Sequence, residues 1–118
     1  MTLMKHAHVF RSGSIEWQPH PRLQGLRIKS LENSQTYSEA SVTLVQVDPG
    51  VVIELHSHEQ GHETAFVLSG QGVLSLPEGE LVLEKGDGVT VPPKTIHGLR
   101  NTGQEPMQIL AVHIPPMM

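Results

Sequence analysis

The sequence contains no cysteine, which removes disulfides, thiolate nucleophiles and thiolate-held metals at once. Any metal this chain holds must be bound through nitrogen and oxygen. Aromatic residues are nearly as scarce, limited to Phe10, Trp17, Tyr37 and Phe66. No basic stripe is present, and the formal net charge is −4. Nucleic-acid binding, which draws on clustered Lys and Arg and on stacking rings, is therefore not expected. The first twenty residues hold no apolar run long enough for a secretory signal, and no span elsewhere approaches membrane length. The expectation is a cytoplasmic protein with neither a nucleic-acid nor a membrane partner. No segment keeps a 3.6-residue apolar period over three turns, so long amphipathic helices are not expected either.

Turn-forming residues and histidine are present in quantity. Eleven glycines and nine prolines in 118 residues cut the chain often, which suits many short strands. "SVTLVQV" (41–47) is rich in β-branched residues, "DPG" (48–50) reads as a turn, and "VVIELHSH" (51–58) reads as strand. "TAFVLSG", "GVLSLPEG", "ELVLEKGDG", "VTVPP", "IHGLRNTG" and "MQILAVHIPP" follow, each closed by Gly, Pro or Asn. Eight to ten short strands with short connections predict a small all-β sandwich or barrel, its edges hidden by closure or by a double-sheet jelly roll. The length fits one domain, 1–118, in three stretches. Residues 1–22 form an N-terminal arm, 23–34 an edge or exchanged strand, and 35–115 the barrel.

The eight histidines are the compositional oddity, since imidazole is the commonest metal ligand. His56 and His58 stand two apart, a spacing that puts both on one face of a strand. Glu63 lies five positions beyond His58, after a stretch suited to a hairpin, and His97 borders another strand. Three imidazoles and a carboxylate suit Fe, Mn, Ni, Zn or Cu rather than Ca or Mg. His62, next to Glu63, stays open as an alternative ligand. The alternation Glu63, Ala65, Val67 places Glu63 with the inward-facing residues. The other His-x-His pair, His6 and His8, has no third ligand nearby and reads as solvated. Glu54, Gln46, Arg100 and His113 are further residues that could approach a pocket, each read more simply as wall or surface.

These residues carry a resemblance to the cupins. Gly50, His56, His58, Glu63 and Gly70 meet the first cupin motif, and Gly86, Pro92, His97 and Asn101 meet the second. The inner glycine of the second motif is Lys94 here, a position where glycine often supplies a positive φ. The resemblance covers about residues 35–115 and implies an all-β double-stranded β-helix. His56, His58, Glu63 and His97 would ligate a divalent transition metal inside one end of the barrel. It also implies a metal-dependent enzyme of dioxygenase, oxidase, decarboxylase or isomerase type acting on a small organic molecule. The alternative is a non-catalytic barrel that binds or senses a small molecule or metal. Oxalate decarboxylase-like cupins carry an arginine three residues before the first metal histidine, and this chain has Ile53 there. Metal-free sugar epimerase chemistry on the same barrel would need a tyrosine acid, for which Tyr37 is the sole candidate. A homodimer is expected, with the segment 14–31 covering an otherwise open sheet edge.

Overall fold

The computed structural model describes residue 7 and residues 9–117; His6 and His8 lie outside these. Ten strands follow a single 3₁₀ turn at Ser12–Ser14: β1 (Gln18–Pro19), β2 (Leu26–Glu32), β3 (Ser41–Val47), β4 (Val52–His56), β5 (His62–Ser69), β6 (Gln71–Leu76), β7 (Gly79–Glu84), β8 (Gly88–Val91), β9 (His97–Arg100) and β10 (Met107–Ile114). They form a six-stranded sheet in the order β1-β2-β3-β10-β5-β8 and a four-stranded sheet in the order β4-β9-β6-β7. Every pairing is antiparallel. Only β1/β2, β2/β3 and β6/β7 join sequence neighbours, because most short connections cross from one sheet to the other. The result is the all-β double-stranded β-helix of the cupins. Among the described residues no helix is long and apolar enough to cross a membrane.

The crossings are built from the turn residues read in the sequence. At Asp48–Val51 the Val51 amide donates to the Asp48 carbonyl, and Gly50 takes a φ of 79°. At Gly70, between β5 and β6, the φ is 84°, and a Cβ there would stand 2.9 Å from the Met107 Cα. Both the left-handed backbone and the close approach demand glycine at that point.

Alternation along the strands fills the space between the sheets in rows. Leu26, Val47 and Met107 lie side by side in register at one end. Ile28, Val45, Ile109 and Val67 form the next row, followed by Ser30, Thr43, Ala111 and Ala65. Ser41, His113, Glu63 and Val91 complete the series at the far end. Val47 and Met107 are fully buried. Asn101 closes the apolar end from the side, 2 % exposed. Its Nδ2 donates to the Val47 and Glu105 carbonyls at 2.9 and 2.8 Å, and its Oδ1 accepts from the Gly103 amide at 2.8 Å. A buried amide satisfied on three sides in this way fixes the ends of β3 and β9 against the 101–106 loop.

Candidate metal centre

The four predicted ligands meet at the polar end. His56 is the last residue of β4 and faces His97, the first of β9, in register. Glu63, on β5, brings a carboxylate from the opposite sheet. His58 lies beyond the end of β4, so it is not held by strand alternation as its spacing suggests. Its carbonyl accepts a 2.7 Å hydrogen bond from the Lys94 amide instead. Lys94 makes this possible by adopting a φ of 66°, the left-handed geometry expected of the glycine it replaces. The turn is kept although the residue is not.

One nitrogen or oxygen from each of His56, His58, Glu63 and His97 lies within 4.8 Å of every other. Ligand atoms sharing one ion at bonds of about 2.1 Å stand roughly 3–4 Å apart, so this convergence is close to that of a bound cluster. Glu63 Oε1 is 3.2 Å from His97 Nε2 and 3.4 Å from His58 Nε2. The outer ring nitrogens are tied back. His56 Nδ1–H donates to the Glu54 carbonyl at 2.8 Å and His97 Nδ1–H to the Thr95 carbonyl at 2.9 Å. Those bonds set the tautomer that leaves Nε2 available as a lone-pair donor. His58 Nε2 is buried and makes no hydrogen bond. An orphaned imidazole nitrogen beside a carboxylate and two oriented imidazoles fits a transition-metal ion.

The electrostatics point the same way. Contact with Glu63 raises the His97 pKa above the ordinary imidazole value; burial opposes this and the Thr95 carbonyl adds to it. Burial pushes the Glu63 carboxyl up, but the His113 and His97 imidazoles outweigh it and hold the group well below the usual carboxylate range. Burial lowers the His58 pKa, against the pull of Glu63 and with the push of its histidine neighbours. Glu63 is thus held ionised among three imidazoles, a negative charge placed where a cation would be favoured.

The remaining candidates separate clearly. His62 is exposed and outside the cluster, one residue out of phase with Glu63. Glu54 is exposed, lies at the cavity wall and accepts from His56 Nδ1 through its carbonyl. Gln46 pairs with Gln108 at 3.2 Å, and Arg100 with Glu80 at 2.6 and 3.1 Å, neither of them lining the cavity at the centre. Tyr37 is not among the lining residues either. His113 does belong at the centre: its Nε2 lies 3.6 Å from Glu63 Oε2, and its ring is 5.9 Å from that of His58. The sequence held a signal for it, since Met107, Ile109, Ala111 and His113 share one parity and the first three are buried.

The cluster opens on a cavity of about 650 Å³ between the sheets. Its walls are mainly apolar, with Ile28, Val45, Ile53, Leu74 and Leu99 among them. Thr43, Ala111 and Ala65, small side chains of one row, line the cavity next to the cluster and leave room there. Ile53 is half-buried in this wall and packs against the core.

A family model for the cupin domain (Cupin_2) matches residues 43–113. The uncharacterized protein MJ1618 of Methanocaldococcus jannaschii is 31 % identical over 101 residues, covering 84 % of this chain and 81 % of its own. A crystal structure described as a predicted oxalate decarboxylase from Thermotoga maritima superposes with a TM-score of 0.81 at 24 % identity, covering 92 % of this chain and 99 % of the other. The structure of KdgF from Halomonas sp. gives a TM-score of 0.79 at 22 % identity over 92 % and 94 % of the two chains.

Proposed function

The chain belongs to the cupin family, and from that premise we propose that it is a metal-dependent enzyme acting on a small organic molecule, of dioxygenase, oxidase, decarboxylase or isomerase type. The observation that carries the reading is the convergence of His56, His58, Glu63 and His97 at the mouth of an apolar cavity. The cofactor in this reading is a divalent Fe, Mn, Ni, Zn or Cu ion, which when bound supplies Lewis acidity or a redox-active centre.

The residues of the chain then have separable tasks. Three neutral imidazoles and one carboxylate leave a divalent centre with net positive charge, which favours an anionic or strongly dipolar oxygen on the ligand. Ile53, Val45 and Leu99 exclude water and favour an apolar body. A ligand with such a body matches this mainly apolar wall, in which Ile53 stands where oxalate decarboxylase-like cupins carry an arginine and Arg22 is the cation among the lining residues. The reading includes a homodimer, which a monomer by light scattering at micromolar concentration would contradict.

Elemental analysis of untagged protein should find about one transition-metal ion per chain. Turnover or dioxygen consumption with a panel of diketones, diols and thiols would then support the enzyme. Full metal occupancy and ligand-induced stabilisation without turnover would support a binding or sensing barrel, and absence of metal would overturn the metal-dependent enzyme.

A further inference from the structure

We propose that His113 is a positioning residue for the metal carboxylate, holding Glu63 Oε2 so that Glu63 offers Oε1 alone to the ion. The inference rests on the metal-binding reading above and concerns how the site is kept one-sided.

The two oxygens of Glu63 have different surroundings. Oε1 faces the ligand nitrogens of His97 and His58 at 3.2 and 3.4 Å. Oε2 is approached by His113 Nε2 at 3.6 Å. His113 is brought there by the backbone, since it is the register partner of Glu63 across β10 and β5. It is also held from behind, because the next strand outward pairs His113 with Ser41, which is fully buried. The imidazole itself is largely buried, and its Nδ1 has no hydrogen-bond partner. A proton on that buried Nδ1 would be unsatisfied, whereas a proton on Nε2 points at a carboxylate oxygen. The favourable neutral tautomer is therefore Nε2–H directed at Oε2.

A carboxylate free to rotate can bind an ion through both oxygens and fill an additional coordination position. The 3.6 Å separation is an ion-pair contact just longer than a hydrogen bond; with His113 Nε2–H drawn in to Oε2, Glu63 would present one oxygen, and the position that Oε2 would have taken would stay open to a ligand from the cavity. His113 is not part of the four-residue cluster and need not touch the ion. Its effect runs through Glu63, as outer partners of metal ligands commonly act.

The test compares the parent chain with His113→Phe, a ring of similar size without nitrogen, and His113→Gln, which restores an N–H donor near the Nε2 position. Co(II) is titrated into each metal-free protein, its affinity measured, and its visible absorption used to report coordination number. Thermal unfolding of the metal-free proteins is followed alongside. We expect His113→Phe to bind Co(II) about 10- to 100-fold more weakly, with a spectrum shifted toward higher coordination. His113→Gln should return close to the parent in both readouts. Parental affinity and spectrum in a folded His113→Phe would overturn the proposal, as would a folded His113→Gln no better than His113→Phe. Should His113→Phe not fold, the Gln variant decides by whether it keeps the parent spectrum. A parent chain that takes up no Co(II) overturns the metal reading itself, and this inference with it.

Discussion

At one end of the barrel, strands β2, β3 and β10 bring Leu26, Val47 and Met107 into a single buried row. At the other end β3 and β10 carry Ser41 and His113, and β5 adds Glu63. Five residues along the same two strands separate a close-packed apolar layer from a cluster of imidazoles and a carboxylate. The sealed end has Asn101 as a satisfied polar staple, and the open end has His58 Nε2 and His113 Nδ1 without hydrogen-bond partners. The comparison teaches that stability and chemistry are divided along the strand direction, so damage at one end should leave the other largely as it was.

The largest expected effect is at the polar end. His97→Ala removes the ligand that bridges β9 to Glu63, and stoichiometric metal should be lost on dialysis while the chain stays folded. Retention of metal by this variant, measured by elemental analysis, would break the ligand assignment. Next comes the sealed end. Met107→Ala empties a fully buried site and should cost about 2–5 kcal/mol in urea unfolding, with metal affinity of the folded fraction unchanged. A matching loss of affinity would show that the two ends are coupled.

Acid should act on the polar end alone. Coordinating imidazoles must be neutral, so protons compete with the ion and affinity falls as the pH drops through the imidazole range. His97, whose pKa is raised by Glu63, begins to compete above the ordinary imidazole range, and His58, lowered by burial, joins later. An affinity flat from pH 8 to 5 in a competition titration would count against histidine ligation. Asn101→Ala leaves the Val47 and Glu105 carbonyls without their donor and should cost about 1–3 kcal/mol, again without altering the metal. His62→Ala should change neither quantity, with stability within about 0.5 kcal/mol of the parent.

Much of this division was legible in the chain. "SVTLVQV" coincides with β3 residue for residue, and the alternation of Glu63, Ala65 and Val67 separates Glu63 from the exposed His62. What escaped was placed by contacts that no local pattern records. The two-residue strand β1 contains Pro19, which strand propensity would reject, yet it lies at the outer edge of the sheet where a missing amide donor is tolerated. The His-x-His spacing places His58 on a strand face, but the strand ends at His56 and the Lys94 amide positions the loop. His113 reads as a wall residue in the sequence because its partner Glu63 is 50 positions away, and only the β5–β10 register brings them together.

The cluster is also divided between the sheets. His56 and His97 belong to the four-stranded sheet and Glu63 to the six-stranded one. An ion gripped by all three is a clasp across the seam of the sandwich. With an ion bound there, pulling the sheets apart at that end would stretch metal–ligand bonds, and shedding the ion would let the seam loosen. Residence time and mechanical stiffness then become one property, read out together as slower exchange of the β4 and β5 amides when the clasp is closed.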